Sequence, residues 1–279
     1  ELAGEWGITY RTPLASFYKE GHYGGIIGLP FATETEFCKM VRENKRRGAD
    51  FIKIMASGGI LSPYTTPDIA QFNKKELKTI VDEAENHKLK VAAHCHSLEG
   101  IERCAKAGIK SIEHGTFIDK KTSQLLAKKR IYLTPTLIVH HTLIEEGFPV
   151  WDSFADSKIK KLKEVVKIQK ENIETAYQEG VNFLMGSDCG VIDHGRNLGE
   201  LKQLVDVGLS PIEAIRAGTI EGAKFFNQEN ELGSIEAGKI ADMIIVKDNP
   251  IDKIESLANN DNILTVIQDG KILKHKPIF

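Results

Sequence analysis

Residues 91–115 read VAAHCHSLEGIERCAKAGIKSIEHG, and this stretch decides the fold that we predict for the chain. At each end lies a short apolar run, at 89–94 and at 109–114, and both runs end in a histidine. The runs are too short for globular helices, whereas the segment between them, at about 98–107, has helical amphipathic spacing. A strand, a helix and a second strand in this order form a βαβ unit, whose strands are parallel.

The same alternation extends in both directions along the chain. Further strands are predicted at 51–55 (FIKIM), 132–138 (YLTPTLI) and 181–188 (VNFLMGSD), with part of another at 8–12 or 21–29. Helices are predicted near 34–47, 73–87, 119–129, 155–179 and 210–226, the last opening with a capping box and a proline at the first helical position. From about residue 228 the sequence is β-rich with glycine turns and has no long helix. We therefore predict an α/β domain over 1–227 and a small β domain over 228–279.

The composition is that of an ordinary globular protein, with 41% hydrophobic and 27% charged residues in 279. A formal net charge of -2 gives no electrostatic footprint for nucleic acid or for an acidic membrane surface. No apolar run approaches the roughly 20 residues that span a bilayer, and the first residues show no signal peptide. The four cysteines are scattered, which is typical of free thiols in a cytoplasmic protein. We expect a small-molecule substrate and leave open whether the chain forms a homo-oligomer.

Four polar side chains fall at or near the carboxyl ends of predicted strands: Lys53, His94, His114 and Asp188. Taken singly, each has a structural explanation, such as a hydrogen-bonded histidine, a helix-capping aspartate or a lysine that reaches solvent. Their joint placement on four strands favours a functional site, because the carboxyl ends of parallel barrel strands share one face. Imidazole and carboxylate groups are good zinc ligands, and a desolvated lysine amine can react with CO₂ to give a bridging carbamate. The set therefore indicates a divalent metal centre, for which we expect zinc.

These residues lie in motifs that resemble the amidohydrolase superfamily, and specifically its imidazolonepropionase-like and Xaa-Pro dipeptidase (prolidase)-like branch. The motifs are ADFIKIMASGG, the stretch quoted first, GSDCG, and LSPIEAIRAGTIEGAKFF followed by LGSIEAGKIADMIIV, so the resemblance covers essentially the whole chain. It implies a TIM-type (β/α)₈ barrel in which a carboxylated Lys53 bridges two metal ions. By the same resemblance, His94 and His114 bind the second metal, and Asp188 binds the first and acts as general base.

One part of the family's pattern has no counterpart in the sequence. The first barrel strand of the family carries a His-x-His pair, whereas His94-Cys95-His96 falls on the fifth strand when strands are counted back from Asp188. Upstream of Lys53 the sequence has one histidine, His22, in a glycine-rich GHYGG segment. We therefore expect this sequence to hold strands three to eight of the barrel and the C-terminal part of the β domain. With ligands missing for the first metal, we expect at most about one tightly bound ion per chain.

The expected reaction is hydrolysis of an amide bond in a dipeptide or an N-acyl amino acid, Xaa-Pro dipeptides included. Lactones, cyclic amides and phosphotriesters remain alternative substrates, because the same activated water attacks them all. A hypothesis of another class is a non-catalytic fragment or one subunit of a split enzyme. Candidate substrate-binding residues follow the strand ends by position and are His96, His140, His141 and Arg196.

Overall fold

Ten strands appear in the computed structural model, which describes residues 11–25, 28–62, 65–147 and 155–275. Seven form one sheet in the order β2-β1-β3-β4-β5-β6-β7, and the pairings from β2 through β6 are parallel. The seven strands are β1 (Ser16–Lys19), β2 (Gly28–Phe31), β3 (Phe51–Met55), β4 (Lys90–Cys95), β5 (Ser111–His114), β6 (Tyr132–Thr134) and β7 (Asn182–Phe183).

Helices alternate with these strands over most of the described chain. They are α1 (Glu34–Arg46), α2 (Lys74–Asn86), α3 (Leu98–Ala107), α4 (Lys120–Lys129), α5 (Leu137–Glu146), α6 (Ala155–Gln178), α7 (Gly199–Asp206), α8 (Pro211–Ala217) and α9 (Ile220–Phe225). Local signals fix several helix starts: Thr33, Asn73 and Ser210 each form a capping box with a glutamate three residues later. Among the described residues, no helix is long and apolar enough to cross a membrane.

A second sheet near the C-terminus is antiparallel and has the order β10-β9-β8. Its strands are β8 (Met243–Val246), β9 (Ile263–Gln268) and β10 (Lys271–His275). Parallel βαβ units followed by a small β sheet confirm the predicted α/β fold class. The predicted domain boundary at 227/228 stays a prediction.

The described chain divides into two compact units, with divisions after Pro135, after residue 148 and after Asn182. The first unit contains β1 to β6 and α6, and the second contains α5 and the elements from α7 onward. In the first unit, Ile52 and Ile54 of β3 and Ile112 of β5 are fully buried. Along their strands these isoleucines alternate with Lys53, Ser111 and Glu113. One face of the sheet therefore packs in the apolar core, and the opposite face carries polar side chains.

Four predicted elements differ from the structure. Of the strand predicted at 181–188, only Asn182–Phe183 is strand. The strand predicted at 132–138 ends at Thr134, because Pro135 has no N–H for the ladder and Thr136 adopts a left-handed φ of 51° before α5 begins. The helix predicted at 210–226 is two helices, separated at Gly218 and Thr219, where Thr219 is not helical. The N-terminal strand predicted at 8–12 or 21–29 is replaced by the pair β1 and β2; residues 8–10 lie outside the described residues.

Candidate metal centre

Strand register places four polar residues of the first unit, Lys53, Ser111, His94 and Glu113, in two adjacent layers on one face of the sheet. Lys53 pairs with Ala92, and Ala92 pairs with Ser111. Two residues further toward the carboxyl ends of the strands, His94 pairs with Glu113. Because directly paired residues point to the same face and the side-chain period is two, these residues all project from the face opposite the apolar core.

Three histidine side chains meet at the carboxyl end of β4 and β5. His94, His96 and His114 are buried, at 6%, 2% and 7% exposure. Their ring centroids lie 4.7 Å, 4.7 Å and 4.5 Å apart, and the His96 and His114 rings are stacked. One ligand nitrogen from each ring lies within 4.8 Å of the others. The cluster can therefore offer three nitrogen ligands to a single ion.

Neighbouring groups contact two of the three histidines and help to position them. His96 Nδ1 lies 2.8 Å from Thr116 Oγ1, and its backbone N–H donates to Ser57 Oγ at 2.8 Å. His114 has a left-handed φ of 71°, and its carbonyl accepts a hydrogen bond of 3.1 Å from the Gln169 amide of α6. Hydrogen bonds to the second ring nitrogen are what orients metal-binding imidazoles in proteins. The Thr116 contact orients the His96 ring in this way.

The electrostatics of the cluster keep His94 neutral. Burial, followed by the positive charge of Lys53, lowers the pKa of His94 from 6.5 to about 3, against a smaller opposing effect of the Gly58 carbonyl. That carbonyl oxygen lies 3.3 Å from His94 Nε2. A neutral imidazole keeps the lone pair that a metal ion needs, so this environment suits a ligand better than a charged group. The donor set fits a divalent ion that accepts nitrogen ligands, zinc among them.

Lys53 has a partner that the sequence analysis missed. Its ammonium forms an ion pair with Glu113, and the Ser111 hydroxyl donates to Glu113 Oε1 at 2.7 Å. Both charged side chains are largely buried. Glu113 lies two residues after Ser111 on the same strand face, so the sequence SIEH already placed the two polar side chains together. The contact of Glu113 with Lys53 could not be predicted, because it depends on how β3 and β5 each pair with β4.

The second unit contains the remaining predicted site residues. Asp188 lies beyond the end of β7, in a turn closed by the Val191 N–H donating to its carbonyl oxygen, and has a left-handed φ of 52°. Both His140 and His141 lie on α5: His140 is buried, and His141 Nδ1 is 3.3 Å from Glu145. Arg196 forms an exposed ion pair with Glu146, at the last residue of the same helix.

A buried carboxylate fixes the start of α5. Thr136 makes no side-chain cap there, and instead Glu200, which is fully buried, accepts the N–H groups of Leu137 at 3.0 Å and Ile138 at 2.7 Å. Glu200 is the second residue of α7. Because α5 carries two of the predicted substrate-binding residues, this contact ties their position to α7.

Sequence and structure comparisons agree on the kind of protein that this chain resembles. A sequence model described as the amidohydrolase family matches residues 21–273. The ochratoxinase of Aspergillus niger is 31% identical over 285 aligned residues, covering 98% of this chain and 55% of that enzyme. The chain therefore spans little more than half the length of this relative.

Two solved structures extend the comparison to three dimensions. A Xaa-Pro dipeptidase with methionine bound in its active site is 36% identical, with a TM-score of 0.80, over 88% of this chain and 59% of that one. A prolidase complexed with N-methylphosphonate-L-proline is 30% identical, with a TM-score of 0.81, over 90% and 61%. The predicted family resemblance is confirmed by these matches.

Proposed function

This chain belongs to the amidohydrolase family, and from that premise we propose that it forms the core of a metal-dependent hydrolase acting on amide bonds. The proposed substrates are dipeptides and N-acyl amino acids, Xaa-Pro dipeptides included. Support for this choice comes from the similarity to a Xaa-Pro dipeptidase and to a prolidase complexed with N-methylphosphonate-L-proline.

The observation that carries the proposal is the cluster of three buried imidazoles. We assign His94, His96 and His114 as ligands of one divalent ion, with zinc as the expected metal. When bound, such an ion supplies Lewis-acid polarisation of a carbonyl oxygen and makes water a nucleophile at neutral pH. The sequence analysis placed His96 among the substrate-binding residues. Here we propose it as a metal ligand as well.

Lys53 and Asp188 complete the proposed site. Lys53 is proposed to enter as its carbamate, formed from the amine and CO₂ with release of protons to solvent. Its ion pair with Glu113 must open first. Asp188 is proposed to take a proton from the attacking water and to deliver it to the departing amide nitrogen, which then leaves as an amine. The unusual backbone of Asp188, at φ 52°, supports a functional constraint at this residue.

Recognition of the substrate is assigned to the second unit. His140 and His141 of α5 are proposed to face the substrate, and Arg196 to bind its carboxylate, since a guanidinium forms paired hydrogen bonds with a carboxylate. Arg196 already holds the carboxylate of Glu146 at an exposed position. A substrate carboxylate would take the place of Glu146 there.

The proposal is tested with the natural-length protein, loaded with zinc and offered Xaa-Pro dipeptides, N-acyl amino acids and lactones. We expect amide hydrolysis that is lost in His96→Ala together with the bound zinc. His87→Ala is the matched control, because His87 caps α2 and contacts Glu83 rather than the cluster. Hydrolysis of lactones without any amide turnover would contradict the proposed substrate class. Full zinc content without turnover of any substrate would favour a non-catalytic role.

A further inference from the structure

The long helix α6 buries one amide side chain, Gln169, in the middle of an apolar stripe. Gln169 is fully buried. Burying an amide costs free energy unless hydrogen bonds replace those that it made to water. Among the described side chains of this helix, the other buried ones recur at helical spacing and are all apolar: Leu162, Val165, Val166, Ile173 and Ala176. The hydrogen-bond partners of Gln169 therefore indicate what an amide does at this position.

Those partners are backbone carbonyls at the ends of two neighbouring strands. Gln169 Nε2 donates to the carbonyl of His114, the last residue of β5, at 3.1 Å, and to that of Pro135, directly after β6, at 2.9 Å. Nearly one helical turn further along α6, Asn172 Nδ2 donates to the carbonyl of Thr116 at 2.9 Å. Two amides on one face of the helix thus hold residues 114–116, which we call the 114–116 turn.

The backbone of the 114–116 turn needs such support. His114 and Gly115 are consecutive left-handed residues, with φ of 71° and 59°. For a residue with a side chain, this conformation is strained and persists only where the surroundings hold it. On the side of β4, the Gly115 N–H donates to the carbonyl of Cys95 at 3.1 Å. The turn is therefore fixed through an N–H group by β4 and through its carbonyls by α6.

Two of the three clustered imidazoles depend on the 114–116 turn. His114 belongs to it, and Thr116 Oγ1 lies 2.8 Å from His96 Nδ1. A shift of the turn would move the ring of His114 and also the hydroxyl that orients His96. Groups that orient metal-binding imidazoles from outside the ligand set strongly affect metal affinity in proteins.

We infer that Gln169 and Asn172 are positioning residues of the metal centre. By fixing the carbonyls of the 114–116 turn, they hold two ligand imidazoles at the spacing that one ion requires. Both amides act through the turn and are not ligands themselves. This inference rests on the metal centre assigned in the proposed function.

The test compares Gln169→Met and Asn172→Leu with Gln178→Met in the natural-length protein. Gln178 is the matched control, because it is an exposed amide of the same helix that donates to Glu174. Zinc affinity is measured by competition with a chelating dye. The visible absorption of the Co²⁺-loaded protein reports the geometry of the ligands. We expect the first two variants to bind zinc about 10- to 100-fold more weakly and to change the Co²⁺ spectrum, with no change for the control.

A double variant tests the route from Asn172 to His96. In Thr116→Val the hydroxyl that orients His96 is already lost. Adding Asn172→Leu should then weaken zinc binding by less than the product of the two single effects, because both act on the same ring. A full product of the two effects would overturn the role assigned to Asn172.

Other outcomes separate this inference from the proposed function. If Gln169→Met and Asn172→Leu lower the Tm but keep the zinc affinity and the Co²⁺ spectrum, the amides only hold the fold, and the inference is wrong although the proposed function stands. If Gln178→Met weakens zinc binding equally, the effect belongs to the helix as a whole, and the inference is also wrong. If the unsubstituted protein binds zinc through the three imidazoles yet cleaves no amide, the proposed function fails, while the variants still decide the positioning role.

Discussion

Replacing Glu200 should loosen α5 at its first turn. The carboxylate accepts two backbone N–H groups, from Leu137 and Ile138, and is fully buried. A hydrogen bond to a charged group contributes about 1.5–3 kcal/mol, so the loss of both predicts about 3–6 kcal/mol for Glu200→Ala. Glu200→Gln keeps one acceptor oxygen and should lose about half of that.

The measurement is urea unfolding of both variants, with Asp119→Ala as the control. Asp119 also caps a helix, accepting from the Thr122 N–H at 2.7 Å, but it is exposed, and its removal should cost about 1 kcal/mol. Backbone amide exchange at Leu137 and Ile138 should quicken in the Glu200 variants alone. A free energy of unfolding for Glu200→Ala no lower than that for Asp119→Ala would refute the reasoning, because the buried carboxylate would then not hold the helix.

Three further predictions concern the histidine cluster and the Lys53–Glu113 ion pair. Thr116→Val removes the hydroxyl that orients His96 and should weaken zinc binding about 10- to 100-fold, as measured by competition with a chelating dye. In the metal-free protein, the low pKa of His94 means that the unfolded chain binds one more proton than the folded one between pH 6.5 and about 3. His94 should therefore contribute a fall of about 1.4 kcal/mol per pH unit to the free energy of unfolding as acid is added, and His94→Gln should lower the total slope by that amount in urea titrations at several pH values. Glu113→Gln and Lys53→Met should each destabilise by about 2–4 kcal/mol, and the double variant by less than their sum, because the second change removes a charge already left unpaired.

Much of the fold could be predicted because its signals are local. Helix α3 begins and ends where its amphipathic spacing does, and α8 begins at a capping box visible in the sequence. The strands that contain His94 and His114 follow from short apolar runs in the sequence. Each of these features depends on residues within a few positions along the chain.

Other features could not be predicted because they depend on contacts distant in sequence. Thr136 starts a helix directly after a strand, and its missing cap comes from Glu200, far along the chain. The pairing of Lys53 with Glu113 depends on the register of three strands. His96 was assigned to substrate binding from its position beyond a strand end, whereas its ring lies in the histidine cluster, where Thr116 and Ser57 contact it. The pattern located the site, whereas the tertiary contacts determine which atoms converge there.

The most direct test of the central claim is anomalous diffraction at the zinc edge from crystals of the zinc-loaded protein. The proposed function predicts a peak within about 2.0–2.1 Å of one nitrogen each from His94, His96 and His114. A zinc ion bound elsewhere in the chain, with the three imidazoles still packed against one another and making no bond to it, would contradict the account.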